Sequence, residues 1–269
     1  NNYWEKSPIL FEKSLEPTPL EKLDLEYFDD FFSSIALTSQ EIRVTKDGKY
    51  TPSNNYCNRI YTSSDNGKEL VDINKLFHLF EKGNSIIVPS AHNKFSIING
   101  LCIELEEILN HSVSANLYIS PKSSQGFLPH YDNHDVIALQ VSGKKRWRVM
   151  ESDDKLPILS NKNPKQKEVL IDKVLLKNHI LYIPRGFTHE VSTEDSYSIH
   201  ITFSITPRRV ISIAKEIINE MLDNLAETNT QLRQTTSIEK SDSALNDLKN
   251  EVLRVIDSLQ LTAYHKVAT

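Results

Sequence analysis

The chain has 269 residues, a formal net charge of -5 and a pI near 6.0. An acidic chain argues against a general nucleic-acid-binding protein, which needs a basic surface to neutralise phosphates. The chain contains only two cysteines, so we expect no disulfide framework and a reducing compartment. Neither a signal-peptide pattern nor an apolar run of about 18 residues occurs, and we therefore expect a cytoplasmic protein without membrane contacts.

Residues 1–112 are predicted to mix short strands with amphipathic helices. Apolar residues at helical spacing predict helices over 20–34, 72–82 and 96–109. Asp72 stands where an N-cap residue is favoured. Short apolar runs predict strands at 8–11, 42–44 and 86–88, and Asp47-Gly48 predicts a turn after the second of them.

Residues 113–206 are rich in β signals. Apolar and polar residues alternate with period two in several short segments, and turns are predicted at Ser142-Gly143 and Arg185-Gly186. The predicted strands are Ala115–Ser120, Val136–Val141, Arg146–Met150, Ile180–Ile183 and Tyr197–Ile205. Many short strands joined by turns indicate a β-sandwich or barrel.

Residues 207–269 are predicted to form two amphipathic helices separated by a polar linker. The first apolar stripe consists of Val210, Ile213, Ala214, Ile217, Ile218, Met221, Leu222 and Leu225. The second consists of Leu245, Leu248, Val252, Val255, Ile256 and Leu259. These stripes must pack either on the β core of the same chain or on a second copy of the chain, and the sequence leaves both open.

The segment Pro129-His130-Tyr131-Asp132 carries a candidate metal site. A histidine and an aspartate two residues apart on a strand project to the same face, where they can bind one ion. His189 follows a predicted strand and turn and is placed to supply a third ligand. Two imidazoles and one carboxylate leave coordination positions open, which suits non-haem Fe(II), whereas structural zinc prefers a closed site with thiolates. A His-x-Asp pair alone is a weak signal, because a chain with nine histidines offers several chances for it and such residues are more often structural.

Three segments resemble the JmjC-type cupin family that includes the ribosomal oxygenases. Ala115–Arg148 contains the His-x-Asp pair, Leu181–His189 resembles the second metal motif of the family, and Tyr3–Leu10 resembles its usual opening. The resemblance implies a mainly β protein with flanking helices, built on a double-stranded β-helix (jelly-roll) core. It also implies an oxygenase domain over 1–206, with an N-terminal α/β part over 1–112 and the β core over 113–206. A C-terminal helical region over 207–269 would then mediate homodimerisation, as in many members.

The resemblance further implies a cofactor set and the residues that bind it. His130, Asp132 and His189 match the iron ligands, Lys145 matches the basic residue that pairs with the far carboxylate of 2-oxoglutarate, and Tyr118 and Ser198 match further contacts to that cosubstrate. Asn116 has period-two spacing to Tyr118 and either lines the same pocket or caps the strand. The expected function is an Fe(II)- and 2-oxoglutarate-dependent dioxygenase that hydroxylates a protein or peptide side chain and releases succinate and CO2.

Other functions remain compatible with the residues. They are a small-molecule or biosynthetic-peptide hydroxylase, a non-catalytic metal-binding cupin, and a metal-dependent cupin isomerase or hydrolase. Lys177-Asn178-His179 replaces the Pro-Gly-Asp of many relatives, but asparagine tolerates a left-handed turn, so we expect the following strand to persist. His134 and Asp135 are predicted either to contact substrate or to lie in a loop. We expect no winged-helix module, which weakens the case for a ribosomal-protein substrate.

Overall fold

The computed structural model describes residues 2–12, 22–62, 65–151, 154–161, 164–165, 167–228 and 230–233, and the single positions 246, 249, 250 and 253. The described helices are α1 (Leu25–Ser34), α2 (Ile73–Glu81), α3 (Ser96–Leu109) and α4 (Val210–Thr228). The described strands are β1 (Ile9–Phe11), β2 (Arg43–Lys46), β3 (Lys49–Tyr50), β4 (Cys57–Thr62), β5 (Asp65–Val71), β6 (Ser85–Val88), β7 (Ser112–Ser120), β8 (Asp135–Gly143), β9 (Lys145–Met150), β10 (Val169–Leu175), β11 (Ile180–Ile183), β12 (Thr188–Ser192) and β13 (Ser198–Thr206). The chain divides into two compact units, Asn1–Pro207 and Arg208–Thr269.

The first unit is built on antiparallel sheets. An eight-stranded sheet has the order β1-β11-β8-β13-β7-β6-β2-β3, a three-stranded sheet has the order β10-β9-β12, and β4 and β5 form a separate hairpin. Non-consecutive strands lie side by side in both larger sheets, so loops must cross from one sheet to the other. This mainly β architecture with flanking helices is the predicted fold class.

Strands in the middle of the large sheet are buried on both faces. In β7, Ala115, Leu117 and Ile119 belong to the main apolar core, whereas Asn116, Tyr118 and Ser120 line a cavity on the opposite face. β13 repeats this division with apolar residues on the core side and His200, Thr202 and Ser204 on the cavity side. The period-two pattern of each strand therefore assigns one face to stability and the other to the cavity.

Helices α1, α2 and α3 cover the core side of the large sheet. α1 buries Phe28 and Phe32, and the Asp24 side chain caps its start by accepting a hydrogen bond from the Tyr27 backbone N–H. α2 buries Leu76 and begins at the predicted N-cap, where Asp72 accepts bonds from two backbone N–H groups. All three of these buried side chains join the same apolar core as β7 and β13.

Several boundaries match the prediction and several elements were not predicted. β11 and α3 have the predicted residue ranges, and Asn178 adopts the left-handed conformation (φ 69°) expected at its turn. The β4–β5 hairpin, β10 and β12 were not predicted. Both cysteines are buried and free, as expected. Leu20, which was predicted to begin the first helix, lies outside the described residues.

The second unit contains α4, the first of the two predicted C-terminal helices. Met221 is buried, whereas Val210 and Ile211 at the start of the helix are 84% and 55% exposed. The residues of the second predicted stripe lie outside the described part of the chain. None of the helices in the described residues is long and apolar enough to cross a membrane.

Gly143 provides a direct test of the predicted turn after β8. It has a φ of +65°, and a Cβ at this position would collide with the Tyr197 carbonyl. We expect Gly143→Ala to lower the free energy of unfolding by about 2 kcal/mol or more, because a left-handed alanine costs ~1–2 kcal/mol before the collision is added. Urea denaturation followed by circular dichroism measures the change. Gly100→Ala is the control, because this glycine lies inside α3 with no atom within 4 Å of the added Cβ. A loss of the same size in both variants would contradict the role of the turn.

Candidate active site

His130, Asp132 and His189 meet at one edge of the cavity. One ligand atom from each residue lies within 4.8 Å of the others. His130 and His189 exchange two backbone hydrogen bonds, with N···O distances of 3.1 and 2.8 Å. Their rings lie side by side, tilted by 52°, with centroids 4.4 Å apart. The structure thus brings the three predicted metal ligands together.

The elements that hold these ligands differ in part from the prediction. His189 is the second residue of β12. His130 and Asp132 were predicted to lie on a strand. They lie instead in the segment that precedes β8, outside strands β1 to β13. The segment is held by backbone bridges instead, because His130 pairs with His189 and Tyr131 pairs with Asn161. The Asp132 carbonyl also accepts a hydrogen bond from the Gly186 N–H at 3.0 Å.

Each histidine ring is oriented by a backbone carbonyl two residues earlier. His130 Nδ1 lies 2.9 Å from the Leu128 carbonyl oxygen, and His189 Nδ1 lies 3.2 Å from that of Phe187. A carbonyl only accepts hydrogen bonds, so each Nδ1 carries the proton and each Nε2 keeps its lone pair. His189 Nε2 lies 3.7 Å from Asp132 Oδ2. Both rings are therefore in the tautomer that binds a metal through Nε2.

Burial keeps His189 neutral. Its side chain is 8% exposed, and desolvation together with the neighbouring His130 lowers its pKa to about 4. A histidine must be deprotonated to bind a metal, so its nitrogen is available at neutral pH. The donor set of two imidazoles and one carboxylate fits a divalent first-row metal with open coordination positions.

A cavity of about 480 Å³ extends from these ligands into the space between the sheets. This volume lies within the range of small-molecule sites. Lys145, at the start of β9, lines it and is 2% exposed. Its ammonium donates to Ser120 Oγ at 2.8 Å, and Ser120 in turn accepts from Ser85 Oγ at 2.9 Å. Desolvation lowers the pKa of Lys145 to about 7.

Lys144 and Arg146, the two neighbours of Lys145 in sequence, point away from the cavity. Lys144 and Arg146 are exposed and pair with Asp195 and Asp172, respectively. Only Lys145 of these three lines the cavity. It is therefore a buried amine, and no carboxylate pairs with it among the described residues.

Tyr118 and Asn116 also line the cavity. Burial raises the pKa of Tyr118 to about 12, so its hydroxyl stays protonated and can donate. The Tyr118 ring stacks on His200 with centroids 4.7 Å apart. Asn116 lies inside β7 and faces the cavity rather than capping the strand, and its Oδ1 accepts a hydrogen bond from the Ser90 N–H at 3.1 Å.

Ser198 does not line the cavity, in contrast to the cosubstrate contact predicted for it. It is fully buried, and its hydroxyl accepts a hydrogen bond from Gln140 Nε2 at 2.9 Å. His200 and Thr202 occupy the cavity wall further along β13. Period-two spacing from Ser198 identifies both residues, so the signal was present in the sequence although neither was predicted.

Two buried polar atoms in the cavity wall have no partner among the described residues. They are Trp147 Nε1 and His200 Nδ1. Burial of an unpartnered N–H is costly, which indicates that a polar ligand completes the site. Together with the Lys145 ammonium and the Tyr118 hydroxyl, these groups fit a small dicarboxylate that also reaches the metal ligands.

The rim of the cavity is partly aromatic. Tyr50 packs edge-on against Phe127, with centroids 5.8 Å apart, and Phe127 contacts the His130 ring. His134 also lines the cavity, with Nε2 4.0 Å from Asp132 Oδ2. Asp135 is fully buried and does not line the cavity, so the substrate contact considered for it is wrong.

Residues 91–213 match the model of the JmjC domain. The chain is 32% identical over 215 residues to the bifunctional lysine-specific demethylase and histidyl-hydroxylase NO66 of Drosophila pseudoobscura pseudoobscura, covering 76% of this chain and 21% of that protein. It is 26% identical over 250 residues to the Drosophila yakuba protein of the same name, covering 87% and 34%. The chain thus spans about a fifth to a third of the length of these relatives.

The fold is shared with YcfD, a ribosomal oxygenase from Escherichia coli. Its structure in complex with cobalt and 2-oxoglutarate has a TM-score of 0.60 at 18% identity, covering 95% of this chain and 65% of that chain. Its structure with cobalt and succinic acid gives 0.57 at 17% identity, covering 96% and 65%. The chain therefore belongs to the JmjC domain family, and residues 91–213 form its JmjC domain.

Proposed function

We propose that this protein is an Fe(II)- and 2-oxoglutarate-dependent dioxygenase that hydroxylates a side chain of a protein or peptide. The observation that carries the proposal is the triad of His130, Asp132 and His189, which opens into the same cavity as the buried cation Lys145. The overall conversion combines a substrate C–H bond, O2 and 2-oxoglutarate into C–OH, succinate and CO2. Bound Fe(II) and 2-oxoglutarate supply the oxidising chemistry, and the protein supplies ligands, orientation and a shielded cavity.

The metal is assigned to the triad because its three ligand atoms converge without a fourth protein ligand. Among the described residues no other group of histidine, cysteine and carboxylate side chains converges in this way. Open coordination positions are what a chelating cosubstrate and O2 require. The carbonyls of Leu128 and Phe187 fix the two rings so that binding requires little reorganisation.

The far carboxylate of 2-oxoglutarate is assigned to Lys145 and Tyr118. A buried ammonium with one side-chain acceptor, Ser120, can donate its remaining N–H bonds to a carboxylate. Protonated Tyr118 supplies a second donor on the neighbouring sheet. Ser198 has no role in this assignment.

The substrate side chain enters past Tyr50, Phe127 and His134. Asp132 is the only carboxylate on the cavity wall within the described part of the chain, and it is assigned to the metal. A lysine or methyl-lysine cation would therefore enter without a carboxylate partner. This favours hydroxylation of an uncharged side chain over lysine demethylation. The names of the relatives, which include a histidyl-hydroxylase and a ribosomal oxygenase, support a protein substrate.

The first experiment is an anaerobic visible titration of the protein with Fe(II) and 2-oxoglutarate. We expect a charge-transfer band on addition of 2-oxoglutarate to the Fe(II)-loaded protein, because its 2-oxo acid end chelates the metal. The band should be absent in His189→Ala and Asp132→Ala. His78→Ala is the matched control, because His78 is an exposed histidine on α2. No band from folded, iron-loaded wild-type protein would favour a non-oxygenase cupin.

Lys145→Met tests the cosubstrate assignment. We expect the affinity for 2-oxoglutarate to fall by roughly 100-fold, because a charge-assisted pair in a buried site is lost. The decline is measured as the shift in the midpoint of the same spectroscopic titration. Lys144→Met is the control, since Lys144 carries the same charge on the exposed side of the turn. Equal affinities in wild type and Lys145→Met would overturn the assignment.

The pH dependence of 2-oxoglutarate binding follows from the pKa of Lys145, which is about 7. Only the protonated amine attracts a carboxylate, and a bound dianion raises the pKa. Binding therefore takes up a proton above pH 7, and we expect the affinity to fall by up to about tenfold per pH unit as the pH rises from 7 to 9. Lys145→Met should flatten this dependence, whereas a slope retained in that variant would assign it to another group.

We also propose a homodimer formed through the C-terminal helices. Ile211 and Ile218 lie one heptad apart on α4 and are 55% and 38% exposed, which leaves apolar surface for a second copy. Analytical ultracentrifugation of the full chain should give a dimer, and Ile211→Glu with Ile218→Glu should give a folded monomer. A monomeric wild type would favour docking of the helices within one chain.

A further inference from the structure

A cluster of buried charges lies next to the metal ligands but outside the cavity. Asp135 is fully buried, and Arg185 is 8% exposed. Glu5 and Tyr182 complete the cluster, and none of the four residues lines the cavity. Glu5 lies far from the others in sequence, so the fold alone brings it there. The cluster has no part in the proposed chemistry.

Asp135 is held by one donor from β11 and by Arg185 in the turn that leads to His189. Its Oδ1 accepts a hydrogen bond from the Tyr182 hydroxyl at 2.8 Å and a longer one from the Arg185 backbone N–H at 3.4 Å. Its Oδ2 lies 3.9 Å from Arg185 Nη1. Burial raises the pKa of this carboxyl, and these donors oppose that rise. Tyr182 and Arg185 therefore favour the charged form of Asp135.

Glu5 completes the cluster from the N-terminal segment. Its carboxylate lies 2.7 Å from Arg185 Nη2, and its backbone N–H donates to the Tyr182 hydroxyl at 3.0 Å. Glu5 adopts a left-handed conformation (φ 56°), which is uncommon for a non-glycine residue. The preceding Trp4 stacks on the Tyr182 ring with centroids 5.8 Å apart. The start of the chain is thus fixed to β11 by specific polar and aromatic contacts.

The cluster connects the two segments that carry the metal ligands. Asp135 follows Asp132 by three residues, and Arg185 precedes His189 by four. Between them, the Gly186 N–H donates to the Asp132 carbonyl. A contact between Asp135 and Arg185 therefore fixes the spacing of two ligand-bearing segments, one that precedes β8 and one that leads into β12. Arg185 needs Glu5 for this, because its Nε and Nη1 have no hydrogen-bond partner among the described residues.

We propose that Glu5 is a positioning residue for the metal triad, acting through Arg185 and Asp135. Glu5 holds the guanidinium by its Nη2 end, which keeps the rest of the group against Asp135 and fixes the Asp132 segment relative to the His189 turn. This inference rests on the metal site of the proposed function but not on its cosubstrate or substrate. Removal of partners that orient metal ligands typically weakens metal binding by 10–100-fold.

The test is the affinity of the metal-free full chain for Co(II), measured by visible titration at 25 °C. Glu5→Gln removes the charge and keeps the shape of the side chain. We expect its Co(II) affinity to fall about tenfold and its absorption spectrum to change in position or intensity, since the spectrum reports ligand geometry. Glu12→Gln is the matched control, because Glu12 belongs to the same N-terminal segment and forms an exposed ion pair with Lys173. An unchanged affinity and spectrum in Glu5→Gln would overturn the proposal.

Tyr182→Phe provides a second variant that removes a single hydroxyl from the cluster. We expect Tyr182→Phe also to weaken Co(II) binding. In the double variant with Glu5→Gln, the fold-decrease in Co(II) affinity should be smaller than the product of the two single fold-decreases, because both residues act on Asp135. Thermal unfolding of the metal-free variants confirms that each is folded at 25 °C. Two results would show that the cluster does not act as a unit on the triad. One is a double variant whose fold-decrease in Co(II) affinity equals the product of the single decreases, and the other is an equally large decrease in Glu12→Gln.

The outcome also separates this inference from the proposed function. If wild-type protein binds no Co(II), the metal site itself is wrong. If wild type binds Co(II) and Glu5→Gln binds it equally well, only the positioning role of Glu5 fails. If wild type and all variants bind Co(II) as expected but no 2-oxoglutarate band forms with Fe(II), the positioning role stands and the oxygenase proposal fails.

Discussion

His130 and His189 exchange two backbone hydrogen bonds, at 3.1 and 2.8 Å, and the geometry of the site depends on this exchange. His130 belongs to the connection between two strands of the eight-stranded sheet, whereas His189 belongs to the three-stranded sheet. The bonds therefore join the two sheets where no named strand does so. They place two imidazoles side by side, and the Gly186 bond to the Asp132 carbonyl adds the carboxylate. Opening of this bridge would separate the ligands and remove one wall of the cavity.

The cavity persists because the central strands derive their stability from the other face. In β13, Ile199 and Ile201 are fully buried in the apolar core beneath the helices, while His200 and Thr202 face the cavity. Burial of an isoleucine stabilises the fold by about 1.5–3 kcal/mol. Burial of polar side chains without hydrogen-bond partners offsets part of this stabilisation. The alternation that is ordinary in a half-exposed sheet is used here to keep a polar space between two sheets.

Elements that are encoded by local sequence patterns were predicted, whereas features that depend on contacts between residues distant in sequence were not. The apolar run Ile180–Ile183, bounded by turn residues, predicted its strand with the observed ends. β10 (Val169–Leu175) was missed because its residues are largely exposed and lack a clear period. His200 was not predicted because the family resemblance matched Ser198, two residues earlier on the same strand. The register of β13 against β8 shifts between Ile199 and His200, and no local pattern in the sequence encodes this shift. Asp135 was misread because its partners lie at least 47 residues away, where no spacing rule connects them.

Charge balance links the metal to the cosubstrate under the proposed function. The cavity wall holds one carboxylate, Asp132, and one amine, Lys145, whose pKa of about 7 leaves it only partly charged at neutral pH. A dianionic cosubstrate alone would face Asp132 with at most one ammonium to offset it. With a bound dication, the carboxylate, metal, dianion and protonated Lys145 cancel in formal charge. Metal and 2-oxoglutarate therefore each lower the free-energy cost of burying the other. Because such coupling is reciprocal, bound 2-oxoglutarate must raise the affinity for the metal by the same factor as bound metal raises the affinity for 2-oxoglutarate.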